Sequence, residues 1–376
     1  MKLSCLQENL NWGLGIVKRA VAIRNTLPIT NNILLETDGP RLKLVATDLE
    51  KSICCWIDAK VEEEGAITLP TDLLITFVSS LKNDTVDVVM TPKTRSVSIK
   101  CVRDRAVING LDARDFPPIP NVAKGISATI EITALRQAIT QVVFAASSIE
   151  ARPILTGVEA RLEGSTLALA AADGFRLAVY KFTLSQPVDQ KVTAIIPAKT
   201  LIELNTLMKD QTEPISVTIS KSHIIFRLKD IELVSTLING EFPQYEQLYP
   251  QGSSTKVIVN TVKFLQVTKA AAVFARENSN IVRMIITPGG ELTPGKLTLL
   301  AKANDIGDNQ GEIDATVQGG EVKVVFTSRY MSDVLGVLKN AQVSVEIFGS
   351  TSPIVIRAVG DENYIHLIMP MFAVWE

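Results

Sequence analysis

Apolar residues at Leu10, Leu14, Val17, Ala20 and Val21 recur every three to four positions and predict a helix over Leu10–Asn25. The period then changes. Ile33–Thr37, Leu42–Thr47 and Ser52–Val61 are apolar or alternating runs around an Asp38-Gly39-Pro40 turn, and they predict strands. Thr71 predicts an N-cap for a helix through Leu81, with Leu73, Leu74, Phe77, Val78 and Leu81 on one face. Thr85–Met90, Ser96–Val102 and Ala106–Asn109 predict further strands.

This order of elements occurs twice more. Helices are predicted from Thr133 or Ala134 to Ala146 and over Ala198–Met208, with strands at Gly157–Leu162, Thr166–Ala171, Leu177–Leu184, Ser216–Ser220 and Ile224–Leu228. The last third predicts helices near Thr261–Ala275 and Ser328–Leu338, with strands at Lys296–Ala301, Glu321–Phe326, Val343–Phe348 and Ile354–Ala358. Short segments keep step with the pattern. Leu42-Lys-Leu-Val-Ala-Thr-Asp48 returns as Leu167-Ala-Leu-Ala-Ala-Ala-Asp173 and, more faintly, as Leu297-Thr-Leu-Leu-Ala-Lys-Ala303. Ile108-Asn-Gly110 before Phe116-Pro117 returns as Ile238-Asn-Gly240 before Phe242-Pro243. A period of roughly 125–130 residues is far longer than the 20–50 of solenoid arrays, so the repeated unit is a whole domain with its own core. The expected fold is α+β, three repeats of two helices packed on antiparallel sheets. The expected domains are 1–120, 128–250 and 256–376, joined by Pro-, Gly-, Asp- and Ser-rich stretches at 112–130 and 240–256.

Composition adds mainly exclusions. Hydrophobic content of 46% and charged content of 21% are those of a soluble globular chain. Cys5, Cys54, Cys55 and Cys101 all lie in the first third with no Cys-x-x-Cys pair, and are expected to be buried, reduced thiols. The N-terminus lacks an apolar signal core and no run of 18 apolar residues exists, so no membrane segment is expected and the location is expected to be cytoplasmic. His223 and His366, the two histidines, sit in alternating apolar segments and read as strand residues with one side in solvent. Asp48 and Asp173 read as turn or capping residues after a strand. Gly13-Leu-Gly15 lacks the third glycine and preceding strand of a dinucleotide fingerprint. No metal-ligand spacing and no nucleophile–base–orienter set is present, so neither a catalytic residue nor a metal nor a cofactor is expected.

Charge is distributed unevenly. Net charge is −2, yet the predicted helices carry Lys18, Arg19, Arg24, Arg136, Lys263, Lys269 and Arg276 against Glu8. The shorter ones add Lys82, Lys199, Lys209, Arg329 and Lys339 against Asp72, Glu203 and Asp333. Positive charge gathered on repeated helices suits a phosphate backbone, although Lys and Arg are also ordinary solvated helix formers. No base-reading motif accompanies them, so any contact with DNA would be independent of sequence.

The chain resembles the bacterial DNA polymerase III beta subunit family, the sliding clamps, from end to end. The residues that carry the resemblance are Thr26-Leu-Pro-Ile29, Ala46-Thr-Asp48, Asp115-Phe-Pro117, Asp173-Gly-Phe-Arg-Leu177, Asn239-Gly-Glu-Phe-Pro-Gln-Tyr245 and Ile368-Met-Pro-Met371. The resemblance implies a non-catalytic replication processivity factor, a head-to-tail homodimer whose six domains close a ring around duplex DNA. Twelve helices side by side at about 9 Å leave a hole of about 24 Å, enough for a hydrated duplex. Candidate DNA-facing residues are Arg24, Lys18, Arg136, Lys199 and Lys209. The implied dimer contact sets Val273 and Phe274 against the partner's Ala106 and Ile108, with Arg103 and Arg105 on a charged rim. A short linear peptide from the DNA polymerase III alpha subunit, the clamp loader, or other polymerases and repair proteins is implied to dock on this chain. Its expected site includes Arg152, Leu155, Ala172, Gly174, Phe175, Arg176 and Leu177. Pro243, Leu248, Ile368, Met369, Pro370 and Met371 complete it. Departures from the family pattern include Ala106, Pro153, Ile154, Ala172, Phe175 and a longer apolar tail, Phe372-Ala-Val-Trp-Glu376. An enzyme with a cleft between repeated domains and a scaffold that never encircles DNA are the other readings. The missing catalytic constellations argue against the first.

Overall fold

The computed structural model describes residues 1–22, 27–122, 125–252, 254–276, 279–303 and 307–371. Proximity divides the chain into two compact units. One holds Met1–Ile132, Ser185–Val192 and Lys199–Leu237, and the other holds Thr133–Leu184, Thr193–Ala198 and Ile238–Glu376. The described residues contain six α-helices: α1 (Gln7–Val17), α2 (Thr71–Ser80), α3 (Ile132–Val142), α4 (Ala198–Leu207), α5 (Thr261–Ala275) and α6 (Ser328–Val337). The strand pairings are antiparallel.

In the first unit a five-stranded sheet runs in the order Lys60–Glu63, Lys2–Leu6, Thr85–Thr91, Ser96–Cys101, Asp104–Asn109. A nine-stranded sheet carries the Asn32–Asp38, Arg41–Thr47 and Lys51–Asp58 strands of the first repeat. It continues into Ile231–Thr236, His223–Arg227 and Ile215–Ile219 of the second. The seam is an ordinary ladder, with Ile53 opposite Leu233 and Cys55 opposite Ile231. Joining the repeats this way leaves neither strand with unpaired backbone groups. The segment expected as a linker is pinned to this sheet. Phe116 packs with Ile29, Val45 and Cys54, and Val122 packs with Ile225 and Val234.

Helix α1 lies against its sheet through Leu10, Gly13, Leu14 and Val17, all buried. Gly13 is a packing glycine: a Cβ there would stand 2.8 Å from Leu44 and 2.9 Å from Ile57. The helix is shorter than its pattern suggested. It gives way to a single 3-10 turn at Lys18–Ala20, and Ile23–Thr26 fall outside the described residues. Thr71 does not cap α2. Its hydroxyl donates instead to the Asn31 carbonyl at 2.7 Å, tying the helix start to a neighbouring segment. At α5 the capping rule holds, because the Asn260 side chain accepts from the Lys263 amide at 3.0 Å.

The second unit is built on a ten-stranded sheet. Gly157–Ala172 and Arg176–Pro197 run as longer strands than their patterns suggested. Tyr364–Ile368, Ile354–Ala358, Gln342–Ile347 and Thr255–Asn260 follow, and the order ends at Ile281–Thr287 and Val322–Thr327. Here the second and third repeats meet by a ladder that sets Arg176 opposite Ile368 and Leu177 opposite Leu367. The four cysteines are free and buried, and burial pushes the Cys5, Cys54 and Cys55 thiols up to about 12.

Candidate functional site

The Gly157–Ala172 strand ends in a turn built around Asp173. Its Oδ1 accepts from the amides of Phe175 (2.9 Å) and Arg176 (3.0 Å), and its own amide donates to the Arg176 carbonyl at 3.3 Å. Gly174 takes φ +95°, a left-handed value that a side chain resists. A Cβ at Gly174 would also lie 3.2 Å from the Arg152 guanidinium. The turn thrusts Phe175 outward, 59% exposed, and its carbonyl accepts from the Met369 amide at 2.8 Å. The residues just after the Tyr364–Ile368 strand are thus held beside the turn. Met371 is held in its place by an amide bond to the Val325 carbonyl (2.8 Å) and by the Thr327 hydroxyl, which donates to its sulfur at 3.2 Å.

Arg176 points the other way. It is buried, and all its nitrogens are engaged: Nε donates to Asp173 Oδ2 (3.0 Å), Nη1 to Asp333 Oδ2 (2.6 Å) and Nη2 to the Phe144 carbonyl (2.7 Å). Its guanidinium also stacks at 4.6 Å from the Tyr330 ring and 5.3 Å from the Phe144 ring. Of the expected site residues this one supports the turn from behind, each of its three nitrogens already holding a protein partner.

Three of the remaining expected residues, Leu155, Ala172 and Leu177, join one apolar cluster. Leu177, Val179, Phe242, Tyr245, Ile365 and Leu367 form its buried floor, and Leu155 and Ala172 pack partly buried against them. Leu248 (46% exposed), Phe175 and Met369 (37%) are uncovered apolar side chains, and Pro243 and Arg152 are exposed. Ile368 is wholly buried and Pro370 half-buried. Beneath this region lies a residue whose role the sequence misassigned. His366 is fully buried rather than half-solvated. It stacks on Phe144 with ring centres 5.5 Å apart and approaches the Tyr364 hydroxyl at 3.3 Å. Burial, and then the positive charge of Arg176, push its pKa down to about 3.

Among the described residues two of the strands that end a sheet matter here: Asp104–Asn109, which pairs with Ser96–Cys101, and Val322–Thr327, which pairs with Ile281–Thr287 and also takes the Met371 amide on its Val325 carbonyl. On the first edge Ile108 faces the core, Ala106 is half-buried, and Arg103 and Arg105 are exposed. The large apolar side chain turned outward is Val107, 60% exposed, which the sequence reading passed over; strict alternation from buried Ile108 points to it. At the end of α5, Val273 is 60% exposed and Phe274 half-buried.

Comparison with known proteins decides what these features belong to. Three family models match in order: the N-terminal domain of the DNA polymerase III beta subunit over 1–120, its central domain over 129–244 and its C-terminal domain over 246–372. The chain belongs to the DNA polymerase III beta subunit family. It is similar to the beta sliding clamp of Bacillus subtilis (strain 168), with 31% identity over 388 residues and 99% of each chain covered. The solved sliding clamp of Bacillus subtilis superposes with a TM-score of 0.94 at 30% identity over the whole of both chains. A sliding clamp from Pseudomonas aeruginosa bound to griselimycin gives 0.92 at 27% identity, covering 99% of this chain and 100% of that one. The chain is therefore a DNA sliding clamp of replication, a processivity factor without catalytic activity, and its α+β fold consists of three clamp-type repeats.

On this clamp the cations expected to face DNA are placed unequally. Lys199 and Lys209 are exposed on and just after α4, and Arg136 is half-buried on α3. Lys18 is exposed, with Asp72 at 3.9 Å, and the neighbouring Arg19 donates to Glu203 at 3.0 Å. The helix acids thus offset part of the charge that the sequence suggested was free. Arg24 lies outside the described residues.

Proposed function

We propose that two copies of this clamp close head to tail into a six-domain ring that encircles duplex DNA. The observation that carries this reading is that Asp104–Asn109, with Val107 exposed on it, and Val322–Thr327 are both strands that end a sheet among the described residues. Such edges favour strand addition, and a heterologous contact of one edge on the other in a second copy closes when the rotation permits. Val107, Ala106, Arg103 and Arg105 then meet Val273 and Phe274 of the partner copy, with Ile108 supporting the edge from the core. The domains assigned to the chain are 1–120, 128–250 and 256–376. Lys18, Arg24, Arg136, Lys199 and Lys209 face the phosphates through mobile, screened contacts that retain DNA without fixing its position.

The apolar surface around Leu155, Leu177, Phe242 and Leu248 is the groove for a short peptide from the polymerase, the clamp loader or repair proteins. An apolar floor with an adaptable Met rim suits several peptides in turn. The described helices include none long and apolar enough to cross a membrane, which accords with a cytoplasmic role.

Retention on DNA tests the ring. Labelled protein is loaded onto a nicked circular plasmid with a clamp loader and passed through a sizing column, and the plasmid is then linearised. Retention on the circle and loss from the linear form is the expected result. Equal retention on both would mean ordinary affinity and would overturn topological binding.

A further inference from the structure

Arg161 is assigned no role by any of the features above, yet its surroundings are specific. It rises from the Gly157–Ala172 strand, and its Nη1 donates to Glu246 Oε1 at 2.7 Å. Its Nη2 donates to Glu159 Oε2 at 3.1 Å, and Glu159 is buried on the same strand. The guanidinium also lies 5.6 Å from the Tyr245 ring centre. Glu246 and Tyr245 belong to the single 3-10 turn Tyr245–Leu248, whose last residue is the exposed Leu248. Aromatic side chains hold the base of this segment. Phe242 and Tyr249 meet Tyr245 edge-on, with ring centres at 6.3 Å and 6.5 Å. They fix the buried end of the turn at Tyr245, while Leu248 at its other end is exposed. Arg161 supplies a lateral tether from a rigid strand, and the charge of the buried Glu159 keeps the guanidinium in place. Partial burial works against ionisation of Glu246, but the Arg161 hydrogen bond still holds its carboxyl below the usual range.

We infer that Arg161 is a positioning residue for the peptide groove, setting through Glu246 the angle at which the Tyr245–Leu248 turn presents Leu248 to a bound ligand. This rests on the groove reading above. The variants Arg161→Met and Arg161→Lys are made in the full chain and titrated with griselimycin by calorimetry, beside the unaltered protein. Arg161→Met should weaken binding about five- to tenfold, the scale of one charge-assisted hydrogen bond. Arg161→Lys should restore part of the loss. The decisive readout is the Leu248→Ala background. There Arg161→Met should have almost no further effect, because the side chain it positions is gone. The milder Glu246→Gln should lower affinity in the same direction and guards against loss of folding in Arg161→Met. Unchanged affinity in Arg161→Met and Glu246→Gln, or a loss equally large without Leu248, would overturn the inference. Failure of the unaltered chain to bind griselimycin would overturn the groove reading itself, and this inference with it.

Discussion

The turn at Asp48 and the turn at Asp173 are two copies of one device, and they were put to different uses. In both, an Asp after a strand accepts two amides, from Glu50 (3.0 Å) and Lys51 (2.8 Å) in the first and from Phe175 and Arg176 in the second. Both close with the Asp amide donating to the carbonyl three residues on. Both place a cation there against the second Asp oxygen, Lys51 at 3.3 Å and Arg176 at 3.0 Å. The backbone recipe is therefore local and was duplicated intact. The differences lie in what the turn faces. Leu49 occupies the left-handed position with φ 76° and stands 47% exposed, whereas Gly174 occupies it in the second copy. Lys51 makes a partly solvated ion pair, while Arg176 is buried among Asp333, Phe144 and Tyr330. The two turns differ in that only the second carries a cation able to form a planar, many-sided contact.

Replacing the two cations should separate the copies most sharply. Arg176→Met leaves Asp173 and Asp333 without their partner and should cost about 3–5 kcal/mol. Lys51→Met should cost less, about 1 kcal/mol, because the Lys51–Asp48 pair is partly solvated. Urea denaturation of both variants measures this, and equal losses would erase the distinction.

A second difference concerns pH. His366 lies beside Arg176, and its folded pKa of about 3 stands below the ordinary 6.5. The unfolded chain takes up this proton first. Stability present above pH 6.5 should therefore fall as pH drops towards 3, by up to about 1.4 kcal/mol per pH unit. His366→Phe keeps a ring against Phe144 and removes Nε2, a nitrogen that has no hydrogen-bond partner among the described residues. Its stability measured between pH 7 and pH 4 should fall less steeply than that of the unaltered chain. Parallel curves would remove His366 from the account.

The smallest effects concern the left-handed residues. Gly174→Ala should lose about 1–2 kcal/mol from strain and from crowding against Arg152, and should weaken griselimycin binding. Leu49→Gly should gain less than about 1 kcal/mol, since relief of strain is offset by the entropy of glycine. Thermal melting resolves both, and a stabilised Gly174→Ala would show that the second turn does not need glycine.

Reading the sequence alone brought the site within view but left its parts unsorted. Leu155 and Leu177 do belong to one apolar cluster, and the Asp turns are turns. Arg176 and Ile368 were expected at that surface and lie beneath it. Nothing in its neighbouring residues marks Arg161, while Val107 is marked only by alternation from Ile108.

What the sequence determined by itself is whatever depends on neighbours a few residues apart: helix and strand periods and the Asp turns. These rest on backbone geometry and local hydrogen bonds, which the chain carries wherever it folds. Tertiary structure decided the rest. Arg176 meets Asp333 across 157 residues, and that contact buries it as a support of the turn. Thr71 forgoes its cap for a carbonyl 40 residues away, and His366 loses its solvent to Phe144. Burial and electrostatic partnership arise from which strands become neighbours in a sheet, and no local pattern encodes that choice.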